Sequence, residues 1–271
     1  MSFTCLSPSF RKHAARAATF SVAACSAATV FALQPLITDD TGTQGAGGNQ
    51  LEFSLTRDRA KVAGDTERTH SLDGTYTRGV SETVDVFAGV GYSRIRASGP
   101  GGDASGLGNP SLGLKWRFFD NADSGTSLAV KPEVLFPVSS SRESEGLGTG
   151  RTSGNLTLIL SQELPFGALH VNLGTGRERF RDTASNPNTT THRASLAPVW
   201  NVSEGWILAA DFGLESARSA GSRVNTKYAE LAAIHSLNKD VDLAFGLMRA
   251  RDDEHPRTTT STATAGVTWR F

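Results

Sequence analysis

From Asn49 onward apolar and polar residues take turns in segments of about ten positions, the period-two pattern of strands with one face on an apolar medium and the other on a polar one. In the first segment Leu51, Phe53 and Leu55 alternate with Glu52, Ser54 and Thr56. The second sets Leu72 and Tyr76 against Ser71, Asp73, Thr75 and Thr77, and the third sets Val84, Val86, Ala88, Val90 and Tyr92 against Asp85, Gly89 and Gly91. Later stripes run through Leu112 to Phe118, Leu128 to Phe136, Leu156 to Leu160 and Leu169 to Leu173. They continue through Leu196 to Val202, Trp206 to Leu214, Lys227 to Leu237, Val241 to Leu247 and Ala263 to Phe271. Helical periodicity fits none of them. The tenth, Lys227 to Leu237, alternates poorly, because either parity leaves a polar group on the apolar face.

The connections are sorted by length. Short ones at Gly79–Glu82, Asp120–Gly125, Pro165–Gly167, Ser203–Gly205 and Asn238–Asp240 alternate with long ones at Asp58–Thr69, Arg96–Gly106, Ser139–Thr152, Glu178–Thr191, Ser216–Asn225 and Arg251–Thr260. An all-β, antiparallel, up-and-down transmembrane β-barrel of about twelve strands has this asymmetry, with short periplasmic turns and long extracellular loops. An even strand number puts both termini in the periplasm. A secreted sandwich also alternates, but it does not sort its connections by length. Nor does it place Tyr92, Trp116, Trp200, Trp206 and Trp269 near strand ends, as the aromatic girdles of a membrane barrel require.

Residues 1–32 read as a secretory signal: Arg11, Lys12 and Arg16 form the basic region, Ala17 to Phe31 the apolar one, and Val30 and Ala32 stand at positions minus three and minus one of the cut. A rival reading is lipid attachment at Cys25, behind Val22-Ala23-Ala24. Cleavage after Ala32 removes both cysteines, so the mature chain forms neither a disulfide nor a thiolate site. It also removes three of the 27 basic residues against 27 acidic ones, for a mature net charge of minus three, which points away from a nucleic-acid partner. No later apolar run approaches the roughly eighteen residues of a spanning helix. Residues 33–48 are too polar and glycine-rich for a spanning strand. They either hang in the periplasm or enter the lumen of the barrel at 49–271.

The stretch LQPLITDDTGTQGAGGNQLEF after the signal, with its centre at Leu36–Gln44, is similar to the start of the outer-membrane family named for the meta-pathway of phenol degradation. GLGNPSLGLKWRF, from Gly106 to Phe118, and KPEVLFPV, from Lys131 to Val138, resemble internal landmarks of the same family. That family usually follows the proline with Thr-Gly, whereas Val138 and Ser139 follow Pro137 here. The resemblance implies a barrel that passes small hydrophobic or aromatic compounds, as transport by analogy.

By parity the inward face carries Glu52, Asp73, Asp85, Lys115, Arg117, Lys131, Glu133, Asp211, Glu215, Asp242 and Arg270, a mixed lining that reads as an ion-pair network or a selectivity filter. Asp39 and Asp40 are the plug candidates, expected to dock on Lys115, Arg117 or Arg270. Trp269 and Phe271 close the last stripe as an assembly signal. His70, His170, His192, His235 and His255 stand in no catalytic motif, so no enzyme and no cofactor or metal is expected. Hydrolysis would need an inward Ser or Asp beside a histidine. The glycines of Gly99–Gly102 and Gly146–Gly150 read as flexible loop tips. Expected partners are outer-membrane lipid and lipopolysaccharide, reached by loop arginines such as Arg177, Arg179, Arg181, Arg218 and Arg223, the outer-membrane assembly machinery and a small-molecule solute. A channel for small apolar or aromatic solutes leads, followed by a structural or loop-mediated interaction barrel with a closed lumen and an outer-membrane lipid hydrolase.

Overall fold

The computed structural model of the chain describes residues 34–98 and 102–271; the expected signal and its cut, both cysteines, Leu33 and Gly99–Gly101 lie outside the described residues. The strands are β1 (Asn49–Val62), β2 (Asp65–Gly79), β3 (Val84–Ala97), β4 (Ala104–Leu107), β5 (Ser111–Asn121), β6 (Thr126–Leu135), β7 (Ser153–Leu164), β8 (Gly167–Glu178), β9 (Thr189–Ser203), β10 (Trp206–Ser219), β11 (Ser222–Asn238), β12 (Val241–Asp252) and β13 (Thr259–Arg270), with one short helix, α1 (Ser140–Ser144). Every pairing is antiparallel, and β13 pairs back onto β1 from Arg270 opposite Gln50 to Thr259 opposite Lys61. The wall therefore closes on itself. β4 and β5 both pair with β3, where Leu107 faces Tyr92 and Ser111 faces Gly89, so they are two parts of one wall strand broken at Gly108-Asn109-Pro110. The wall is a closed barrel of twelve strands.

The barrel is polar inside and apolar outside. Glu52, Thr69, Thr75, Asp211 and Thr268 are buried in the lumen, whereas Leu55, Leu214, Leu231 and Leu247 are 62, 64, 69 and 69 % exposed on the outer face. A continuous leucine-rich band of that kind is stable against hydrocarbon and a liability in water. Aromatic residues gather at the short-turn end: Trp116 meets Phe118 edge-on at 5.8 Å, Phe166 stacks near Trp200 at 6.5 Å, and Trp269 lies 4.6 Å from Phe271. Tyr92 marks the opposite rim of the band.

Two stretches expected as long loops are strand. β1 and β2 continue past the apolar band and turn in two residues, Ala63 and Gly64 (φ 48° and 97°), and β10 and β11 turn likewise at Ala220 and Gly221 (φ 44° and 81°). Positive φ at both central residues is the hairpin geometry that follows strand twist. The alternation fades beyond the band because both faces there meet polar surroundings, while the backbone ladder carries on. In β11 the inward face holds Tyr228 and Glu230 and then Ala232 and Ile234. Ile234 is apolar and buried on that face, and the parity is blurred further because Ala232 packs on an apolar residue inside the lumen.

Candidate functional site

That residue is Leu36. It is wholly buried among Ala197, Val199, Ala209 and Ala232 on the inner faces of β9, β10 and β11, and it anchors a segment that crosses the lumen from residue 34 to residue 48. The wall is recessed to receive it. A Cβ on Gly246 would lie 2.5 Å from Pro35 Cγ, one on Gly266 would lie 2.1 Å from Gln34 Oε1, and one on Gly79 would lie 1.7 Å from the Gly45 carbonyl oxygen. Beyond Leu36, Thr38 donates its N–H (2.7 Å) and its hydroxyl (2.8 Å) to the Asp211 carboxylate, which also accepts from the Tyr228 hydroxyl at 3.2 Å. Thr41 bonds Ser161 and Ser127 on β7 and β6, and the Gln44 N–H donates to both oxygens of Asp85, at 3.1 and 3.0 Å. The segment then hooks onto the barrel rim, where Gly47 N–H donates to Gly79 O and Gly79 N–H to Gly48 O, each at 2.9 Å.

Its charged centre is Asp39. The carboxylate accepts from Lys115 Nζ at 2.9 Å and Lys131 Nζ at 2.7 Å, all three groups being buried. The Asn172 amide, oriented so that both its ends are satisfied, accepts the Asp39 N–H at 2.6 Å and donates to the Asp39 carbonyl at 2.9 Å. Burial opposes ionisation of Asp39, but the two ammonium groups outweigh it and hold the carboxyl below the usual carboxylate range. Lys131 is also 5.2 Å from the centre of the Phe87 ring, an inward aromatic that occupies the space over Gly113 on β5.

Among the basic groups expected to receive the two aspartates, Lys115 does so. Arg117 instead donates to Glu82 O at 3.1 Å and pairs with Asp120 at 3.4 Å, and Arg270 pairs with Asp242 at 2.7 Å and bonds Gln50 at 3.1 Å. Asp40 lies 3.8 Å from Lys115 and turns its carboxylate back to the Gly42 N–H at 2.6 Å. Glu215 pairs with Arg193, Glu133 accepts from Asn155 at 3.1 Å, Glu52 is buried low in the lumen, and Asp73 faces open space. The sequence marks Lys131 as lining only; Asn172, Ser161 and Phe87 carry no charge signal on a strand, and Arg193 falls in a segment whose inward face the apolar stripe Leu196 to Val202 does not reach. The glycine opposite Phe87 is what marks it.

Above the N-terminal segment lies a chamber of about 170 Å³. Its floor is Ile37 and Asp39, its walls include Asp73, Glu133, Asn155, Asn172 and Arg193, and its ceiling is Leu147, Gly148 and Thr149 from the connection between β6 and β7. Gly146–Gly150 is thus not a flexible tip, because all five residues are buried inside the barrel mouth. The connection is stitched at its base by Asn109, which sits in the break between β4 and β5. Asn109 Nδ2 donates to Phe136 O (2.7 Å) and Thr149 O (2.8 Å), and its Oδ1 accepts the Thr149 N–H (2.7 Å). Farther along, Ser139 caps α1 and the buried Glu143 carboxylate accepts the Arg181 N–H at 2.7 Å, tying this loop to the one after β8.

Among the described residues there is one inward Ser–His hydrogen bond, with Ser161 Oγ 2.8 Å from His170 Nδ1. A nucleophile needs an approach path and a base that is itself oriented. Ser161 Oγ accepts the Thr41 N–H at 3.1 Å, and neither residue lines the chamber. The pair serves to seat the N-terminal segment.

A family model described as "Putative MetA-pathway of phenol degradation" matches residues 37–271. The barrel is similar to the COG4313 outer membrane channel from Pseudomonas putida F1, with a TM-score of 0.67 at 16% identity over 86% of this chain and 98% of that one. It is also similar to the beta domain of the Bordetella autotransporter Brka, with a TM-score of 0.52 at 16% identity over 83% of this chain and 100% of that one. At such identities the likeness is one of fold. No curated protein matches the sequence.

Proposed function

We propose that this chain, which belongs to the "Putative MetA-pathway of phenol degradation" family, is a passive outer-membrane channel for small apolar or aromatic solutes, plugged in its lumen by residues 34–48. The short turns and both termini face the periplasm, and the long-loop end faces out. The observation that carries this reading is the chamber between two segments that are not part of the wall. Its volume of about 170 Å³ is close to that of an engineered cavity of about 150 Å³ known to take up benzene. A single ring fits, with apolar contact from Ile37, Leu135 and Leu147 and polar groups at its edges.

Passage requires the floor or the ceiling to move. The floor is held by side-chain hydrogen bonds, ion pairs and one leucine and takes no part in the strand ladder above the rim, so its release is local and leaves the twelve-stranded ladder intact. The terminal pair Trp269 and Phe271 sits on the strand that seals the barrel, with Phe271 N–H donating to Asn49 O at 3.0 Å, and is offered as the signal read by the assembly machinery. The closed-lumen alternative draws on the same ion pairs, Asp39 with Lys115 and Lys131, Asp242 with Arg270, and Glu215 with Arg193.

Proteoliposomes separate the two readings. Liposomes carrying the protein should take up phenol or toluene faster than empty ones, and Leu147→Trp, which fills the chamber, should remove most of that gain. Uptake equal to that of empty liposomes, both for the wild type and for a variant lacking residues 34–48, would establish the closed barrel.

A further inference from the structure

On the outer face of β1, β2 and β3 the side chains form aligned rungs. Leu55 on β1 faces Leu72 on β2, which faces Tyr92 on β3, and this rung is the upper edge of the apolar band. One step toward the long-loop end the rung is Arg57, His70 and Arg94, and the step after that is Arg59, Arg68 and Arg96. All six are exposed, and among the described residues none of them has a hydrogen-bond or ion-pair partner. The nearest acids, Asp58 and Glu67, lie on the lumen face of the same strands, where Asp58 accepts from Thr262. Beyond β13 the row continues on β12, with Arg249 opposite Ser261 and Arg251 opposite Thr259.

Like charges placed directly opposite on neighbouring strands are destabilising. Three arginines in one rung, about 5 Å apart from strand to strand and about 7 Å from the rung below, make an array without an ion-pair partner among the described residues. It lies immediately above a band that faces hydrocarbon. We propose that this face binds the phosphate groups of lipid A in lipopolysaccharide, with the acyl chains lying on the Leu55, Leu72 and Tyr92 rung. The partner must present more than one phosphate at the membrane surface and apolar chains directly below. Lipid A carries two phosphates on a sugar dimer bearing several chains, a phosphatidylglycerol head carries one phosphate, and free phosphate carries no chain. The inference rests on the reading of the barrel as an outer-membrane span with its long-loop end outward, but not on transport. It places lipid recognition on strand arginines rather than on the loop arginines that the sequence suggests.

The test uses the full mature barrel in nonionic detergent, titrated with bisphosphoryl lipid A, dephosphorylated lipid A, phosphatidylglycerol or inorganic phosphate, with binding read by native mass spectrometry. Bisphosphoryl lipid A should bind at least about tenfold more tightly than the other three, and the combined substitutions Arg59→Ser, Arg68→Ser and Arg96→Ser should weaken it by about tenfold or more. Because these changes remove repulsion, the lipid-free variant should unfold at the same temperature as the wild type or higher. Lipid A binding unchanged in the triple variant, or phosphatidylglycerol bound as tightly as lipid A, would overturn the proposal. Phenol uptake by the same two preparations is read in parallel. Uptake without lipid A binding sinks this inference alone, and lipid A binding without uptake sinks only the channel.

Discussion

Asp39 is the residue on which the lumen turns. Its carboxylate lies between two buried ammonium groups, and breaking a buried pair by removing one partner costs about 3–5 kcal/mol because the remaining charge is stranded. Asp39→Ala strands two. The segment is expected to leave its seat so that water can reach Lys115 and Lys131, and single-channel conductance should rise several-fold; an unchanged conductance would count against the latch. The same contact sets a pH dependence. Docking holds the Asp39 carboxyl below its usual range, so its contribution is complete above the undocked value of about 3.9 and is lost as pH falls through the docked value. Conductance should therefore be low at neutral pH and rise below about pH 4, and Asp39→Asn should remove this acid step. Charge and polarity made Asp39 and Lys115 legible in the sequence. Lys131 was legible as lining but not as a partner, because strand parity gives the face of a residue and not its height or its neighbours across the lumen.

Between the strands and the whole barrel stand two elements that strand parity does not describe. The N-terminal segment is seated by absent side chains as much as by present ones, since Gly246 and Gly266 open the wall under Pro35 and Gln34. Gly246→Val should push the segment out and raise conductance in the same direction as Asp39→Ala. Gly174→Ala, whose Cβ would meet nothing closer than 3.7 Å, should not. The connection from β6 to β7 depends on Asn109. Asn109→Ala removes three hydrogen bonds and leaves the Thr149 N–H without its acceptor, a loss of about 1–3 kcal/mol for each buried group left unmatched. Proteolysis between α1 and β7 should become faster while the heat-modifiable gel shift of the barrel persists; equal proteolysis rates would show that the loop does not rely on this stitch. The landmark GLGNPSL was visible in the sequence, but its role was not, because an asparagine in a strand break reads as turn chemistry until the distant loop it holds is known. Gly146–Gly150 was misread for the same reason: glycine signals a backbone that must pass close to something, whether in solvent or under a roof.

For the whole molecule, the short turns, the strand order and the closure of β13 on β1 were all implied by alternation and linker length, since hydrocarbon outside and polar lumen inside impose a period of two wherever the wall is embedded. Where the wall leaves the membrane that constraint lapses, and so two hairpin extensions looked like loops. The weakly alternating β11 has its own cause, with the apolar Ala232 and Ile234 turned inward and Ala232 packed on Leu36. The central claim is that a polar wall of twelve strands is made into a narrow, releasable passage by a segment that belongs to no strand. Single-channel recording in planar bilayers of the mature protein beside a variant lacking residues 34–48 tests it most directly. The account predicts a small conductance for the intact chain and one several-fold larger, without the acid step, for the deletion; equal conductances with the same pH profile would contradict it.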